Sequence, residues 1–332
     1  MINIYSLKTN HDPKVLNSGK WIDGENQHNL VKRIMKYLDV KYVILTNSGT
    51  SSLLAAYWAL RDEFNTLNVD AYTFPATYQP ARILGYKINF VQRGKNTFPD
   101  SGLNVITHLF GQPNEIVNKM NPKNFIEDAC QAFGTICKGK KAGTIGRIGC
   151  FSFYPTKMLH TCGHGGAIAT NNKKDYKKMK LFVECGRNNK KMTESPGLNL
   201  RIDEIKAEFM LRELNFIEKK IELQRKIAIK LKEFIPSNQP FLTEDTECRH
   251  TYSIFNIMVK NRDKFSEFMK KRGIETTVYY NSDILPKTER NRYKDITSSI
   301  VSVPCRWNLN RREVNHIKSC LKEWFKNENK HS

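Results

Sequence analysis

Between residues 42 and 170 the chain alternates short β-branched runs with helix-like stretches, and this rhythm restricts the fold more than any other feature. YVILT (42–46), NVITHL (104–109), NFIEDA (124–129) and CFSFY (150–154) read as buried strands, and SSLLAAYWALRDEF (51–64) as a helix. Strands that alternate with helices form a mostly parallel sheet covered on both faces, so an α/β class is expected. From 203 to 235 the apolar residues Ile205, Phe209, Phe216, Ile217, Ile221, Ile227, Leu231 and Phe234 recur near helical spacing until Pro236 stops the run. That pattern predicts one long connecting helical region. Beyond it, TYSIFNIMV (251–259), a charged helix near 262–272, ETTVYY (275–280), IVSVP (300–304) and a final helix from about Arg311 predict a smaller α+β unit.

A chain of 332 residues can supply a core to each unit. No apolar run approaches the roughly 18 to 20 residues of a membrane span, so no membrane segment is expected. The start, MINIYSLKTN, lacks a basic stretch followed by an apolar one, which predicts a cytoplasmic location. Eight cysteines are scattered singly without a C-x-x-C pair, and read as reduced core thiols rather than metal ligands. The formal charge of +21 raises a nucleic-acid partner. The lysines are spread along the chain, and neither a helix-turn-helix nor an RNP-type signature accompanies them, so that partner is not expected. A positive field also steers phosphorylated small molecules.

Three local features carry chemistry, each with an ordinary reading beside it. TNSGTSS (46–52) joins a predicted strand to a predicted helix, where small residues let backbone N–H groups converge on an anion. The same residues suit a helix merely capped by Ser48 or Thr50. Asp128 ends the strand of NFIEDACQAFG, where open α/β sheets bind ligands and where an acid can hold a heteroaromatic nitrogen protonated. It could equally cap a helix starting at Ala129. Lys157 follows CFSFY, with Ser152 five residues before it, and any single lysine is usually a solvated surface group. Their order along the chain is what selects the chemical reading.

Taken in order, the blocks LNSGKWIDG (16–24), TNSGTSSL (46–53), YTFPAT (72–77), VITHLFGQP (105–113), IEDACQAFGT (126–135), CFSFYPTK (150–157), GGAIAT (165–170), GLNLRIDEIKAE (197–208) and RGIETTVYY (272–280) resemble the DegT/DnrJ/EryC1/StrS nucleotide-sugar aminotransferases. The resemblance runs from about residue 14 to 326. It implies the pyridoxal phosphate (PLP)-dependent transferase fold type I, with a large PLP-binding domain over 1–225 and a small C-terminal α+β domain over 226–332. It also implies that Lys157 forms the internal Schiff base with PLP. Gly49, Thr50 and Ser152 would then bind the phosphate, Phe74 would stack on the pyridine ring, Asp128 would pair with the ring N–H, and Gln131 would lie on the ring-oxygen side. Asn199 resembles an asparagine that reaches a neighbouring subunit's phosphate, which implies a homodimer with shared sites. His250, Tyr280, Arg201 and His164 are candidates for the substrate side.

The implied reaction has two halves at one site. An amino acid, expected to be L-glutamate, converts PLP to pyridoxamine phosphate, which then aminates the ketone of a nucleotide-diphosphate keto sugar in amino-sugar biosynthesis. MLHTCGH separates Lys157 from Gly165-Gly166 by seven residues. Relatives that aminate C-4 resemble K-x-I-T-T-G-E-G-G, one residue shorter, and those that aminate C-3 resemble YP-x-K-N-L-G-A-x-G-D-G-G. The length, with Tyr154-Pro155, favours a 3-keto sugar over the 4-keto-6-deoxy alternative, although neither His160 nor His164 is typical of the C-3 pattern. Two further readings are a PLP-dependent sugar dehydratase, against which the retained Lys157 argues, and a non-catalytic PLP-fold binding protein. The departures Phe133, Arg147 and His164 keep the latter open.

Overall fold

Successive residues of the central strands point to opposite faces, and both faces are apolar. In β1 (Tyr42–Thr46) Val43 and Leu45 enter a core with Leu30, Ile34 and Leu38 of helix α1 (Glu25–Leu38), whereas Ile44 enters another with Leu53, Ala56 and Leu60 of α2 (Gly49–Leu60). Helix α1 buries only the stripe at four-residue spacing, while α2 is apolar nearly all round and correspondingly sunk in the protein. The computed structural model describes residues 1–5, 13–92, 98–188 and 192–328.

The sheet continues with β2 (Thr66–Asp70), β3 (Lys87–Val91), β4 (Leu103–Thr107), β5 (Phe125–Asp128), β6 (Ile148–Ser152) and β7 (Gly166–Thr170). Its order is β1-β7-β6-β5-β4-β2-β3. All neighbours run parallel except β7, which is antiparallel to both β1 and β6. Helices α2 and α3 (Lys173–Val183) cover one face; α1 and α4 (Glu204–Leu214) cover the other. The expected α/β class is therefore realised, as three layers.

The region 203–235 is two helices rather than one. Helix α4 stops at Leu214 and α5 (Ile217–Lys232) starts afresh, leaving Phe216 exposed at the break. Ile217 and Ile221 of α5 join the core beneath the large sheet, and Ile227, Ala228 and Leu231 join a C-terminal core with Tyr252, Phe265, Val301 and Ile317. The expected boundary at 225/226 thus falls inside one continuous helix. In the C-terminal part a two-stranded sheet of β8 (Asn256–Met258) and β9 (Ile300–Ser302) is flanked by α6 (Arg262–Lys271) and α7 (Arg311–Glu328), while Cys248–Arg249 pairs with Ile136–Cys137 of the large domain. ETTVYY does not form a strand. Only Thr277 bridges to Ser302, and the Tyr280 N–H donates instead to the Tyr72 hydroxyl, at 2.9 Å, tying this segment to the large domain. No helix among the described residues is long and apolar enough to cross a membrane.

Candidate active site

The carboxyl ends of β5 and β6 meet the amino end of α2. Ser48 caps that helix, its hydroxyl accepting the Ser51 N–H at 3.1 Å, so the capping reading of TNSGTSS holds. The cap does not use the first two helical N–H groups, which stay available to an anion. A Cβ added to Gly49 would stand 2.8 Å from both Ser152 Cβ and Cys130 Sγ. Only glycine lets the helix start approach the end of β6 so closely. Thr50 is exposed on the first turn, and Ser152 is half-buried.

Asp128 is buried, and no helix begins at Ala129. Its Oδ1 accepts the Cys130 N–H at 3.1 Å and its Oδ2 the Thr77 hydroxyl at 2.7 Å. Lys157 sits in the turn after β6, its N–H donating to the Tyr154 carbonyl at 2.9 Å. Burial pushes the lysine's pKa below its usual range, with nearby Cys130 and Asp128 pulling the other way. A desolvated amine is more often neutral at physiological pH, as a nucleophile or base requires.

Beside them Phe74 is 51% exposed, large for an aromatic ring that also lies 6.0 Å from the Tyr280 ring. Gln131 links the two domains: its Oε1 accepts the Phe110 N–H at 2.7 Å and its Nε2 donates to the Tyr280 hydroxyl at 2.7 Å. Burial pushes the Tyr280 phenol up, which keeps it protonated. Having accepted from Gln131, it donates to no oxygen among the described residues and can offer its proton elsewhere.

Other candidates lie elsewhere. His250 is fully buried, its Nε2 3.1 Å from the Phe241 carbonyl and its Nδ1 accepting the Tyr252 N–H at 2.8 Å. With both ring nitrogens held by backbone it is a core residue, which corrects its expected place on the substrate side. Arg201 bonds Asp23 at 2.9 Å and the Asn199 side chain at 3.2 Å, on an outer loop where Asn199 is exposed. His164 is exposed beside Tyr154, ring centres 5.4 Å apart. His160 turns towards Glu213, 3.5 Å away, and against Phe209. Among the departures, Phe133 stacks on Tyr37 at 4.9 Å in the core, and Arg147 bridges Glu63 and Asp175 at 2.7 and 2.6 Å. Both have structural work away from the Lys157 turn.

Sequence reasoning missed Thr77, Thr73 and Cys130. Thr73 and Thr77 flank Phe74 within YTFPAT, and two threonines four apart around an aromatic were the available signal.

A strand-end carboxylate, a glycine-led helix start and a desolvated lysine on such a sheet are the parts a PLP-dependent enzyme needs. The chain belongs to the DegT/DnrJ/EryC1/StrS aminotransferase family, whose model matches residues 8–322. It is 27% identical to the UDP-2-acetamido-2-deoxy-3-oxo-D-glucuronate aminotransferase of Pseudomonas aeruginosa, over 80% of either chain. It is 26% identical to a UDP-4-amino-4,6-dideoxy-N-acetyl-beta-L-altrosamine transaminase of Campylobacter jejuni, over 93% of this chain and 90% of that one. The crystal structure of a DegT DnrJ EryC1 StrS aminotransferase from Brucella abortus superposes with a TM-score of 0.85, covering 94% of this chain and 93% of that one at 22% identity, which shows the fold. The residues present fit the cofactor: the close approach permitted by Gly49 makes an anion cradle, and the ring of Phe74 is uncovered.

Proposed function

We propose that the enzyme transfers the amino group of L-glutamate to the 3-keto group of a nucleotide-diphosphate sugar, as a homodimer with shared active sites. The observation that carries the reading is the convergence of Lys157 and Asp128 beside the start of α2, open towards Phe74. PLP, when bound, supplies an aldehyde that takes up nitrogen and a ring that accepts electrons. Gly49, Thr50 and Ser152 bind its phosphate, Phe74 covers one ring face, Asp128 holds the ring N–H, and Gln131 stands on the ring-oxygen side. Lys157 Nζ removes the proton from the donor's α-carbon and later returns a proton to the acceptor's former carbonyl carbon. The free proton of Tyr280 serves an oxygen of cofactor or substrate.

For the dimer, the support is a surface. Trp21 and Ile22 are more than half exposed, and Arg201 and Glu204, which bond Asp23 and the Trp21 carbonyl, bring them next to exposed Leu198 and Asn199. Exposed large apolar side chains of this kind are often covered by a partner, and a second copy seated on them would receive Asn199.

For the sugar, the support is the seven-residue spacing after Lys157, together with the 3-oxo substrate named for the Pseudomonas relative. The Campylobacter relative favours the 4-keto reading. The deciding experiment offers L-glutamate and a panel of dTDP-, UDP- and GDP-linked 3-keto and 4-keto sugars, locating the new amine by NMR. An amine at C-3 is expected. An amine at C-4 overturns the choice of position, and a product from none of them overturns the nucleotide-sugar reading.

A further inference from the structure

The YTFPAT turn ends in a directional chain of hydroxyl groups. An ionised carboxylate only accepts hydrogen bonds, so the 2.7 Å contact between Thr77 Oγ1 and Asp128 Oδ2 commits the single Thr77 proton to the aspartate. The 2.9 Å contact between the Thr73 and Thr77 hydroxyls must then have Thr73 as donor. Thr73, Thr77 and Asp128 are all buried, so water does not substitute freely for either link. The turn itself is pinned: Tyr57 donates to the Thr77 carbonyl at 2.5 Å. With the Cys130 N–H on Oδ1 and the Thr77 hydroxyl on Oδ2, both carboxylate oxygens are held and the plane of the group is fixed.

We infer that Thr77, backed by Thr73, is a positioning residue that sets the Asp128 carboxylate for its hydrogen bond to the cofactor's ring nitrogen. The inference rests on the reading that Asp128 faces that nitrogen. A hydroxyl is required rather than bulk, because valine fills the same space without donating. Thr73 acts one step further away, by orienting the Thr77 oxygen so that its proton points to Oδ2.

The test uses holoenzyme reconstituted with PLP labelled with 15N in the ring, whose NMR resonance reports whether the ring nitrogen is protonated. Asp128→Asn moves the resonance towards the unprotonated position. Thr77→Val moves it the same way and lowers kcat about 10- to 100-fold, the effect of one lost hydrogen bond to a charged group, with KM for glutamate little changed. Thr77→Ser restores both resonance and rate. A wild-type resonance in Thr77→Val, or a serine variant as impaired as the valine one, overturns the inference. Should Thr77→Val not fold, Thr77→Ala and Thr73→Val are read in its place, and an unmoved resonance in both overturns it equally. If Asp128→Asn itself leaves the resonance unmoved, the reading of Asp128 fails first, which separates the two.

Discussion

Gly49 and Ser152 approach so closely that a Cβ on the glycine would stand 2.8 Å from the serine Cβ. Gly49→Ala must therefore push the start of α2 away from β6. Overpacking of this kind costs about 1–3 kcal/mol, and because the displaced N–H groups are those proposed to hold the phosphate, PLP affinity should fall by up to about 150-fold. Fluorescence titration of the apoprotein measures it. Unchanged affinity would remove this helix start from the phosphate site.

Lys157→Ala should abolish turnover while the variant still binds cofactor through the phosphate and ring contacts. In the unaltered protein, borohydride treatment should fix the cofactor on Lys157, and peptide mapping that finds it on another lysine would refute the assignment. The depressed pKa adds a pH dependence: a lysine captures PLP only when neutral. The capture rate should rise with pH and level off below the ordinary lysine value of about 10.4.

The shared site can be tested by mixing. Lys157→Ala and Asn199→Asp should each be inactive alone. Random reassortment puts half the dimers in mixed form, each with one intact site of two, so roughly one quarter of the activity should return. No recovery, or an active monomer on light scattering, would exclude a role for Asn199 across a subunit boundary.

His250 makes a stability prediction. Burial pushes its pKa down to about 3, so the folded state refuses a proton that the unfolded chain accepts below its ordinary value of about 6.5. The sign follows from linkage. Stability is full above that value and falls as the pH drops from it towards 3, by about 1.4 kcal/mol per unit for this one group. Denaturant melts of His250→Gln should show a shallower acid slope than the wild type; an identical slope would contradict the burial.

Asp128 at a strand end and Lys157 after CFSFY are each expected from the few residues around them, and the fold brings the two near one another. What could not be read depends on distant partners. Strands β2 and β3 carry Asn68 and Asn89 among their apolar residues, and look like loops in a hydrophobicity pattern. In the fold the Asn89 amide donates to Asn68 at 2.8 Å, and Asn68 to Asn104 of β4 at 3.0 Å, so the polar groups satisfy one another across three strands. His250 misled for the opposite reason. It stands among Glu247, Arg249 and Thr251, whose polarity suggests surface, yet the chain folds back so that the Phe241 carbonyl meets its Nε2 and the Tyr252 ring stacks on it, which buries it. Thr77 meets Asp128 across 51 residues of chain, a separation no local pattern spans.

Helix α5 lends its first turns to one core and its last turns to the other. A rod anchored at both ends transmits rather than absorbs displacement. Melting the C-terminal unit would free the last turns of the same helix whose first turns carry Ile217 and Ile221 into the other core, so heat should take the whole chain apart in a single cooperative step.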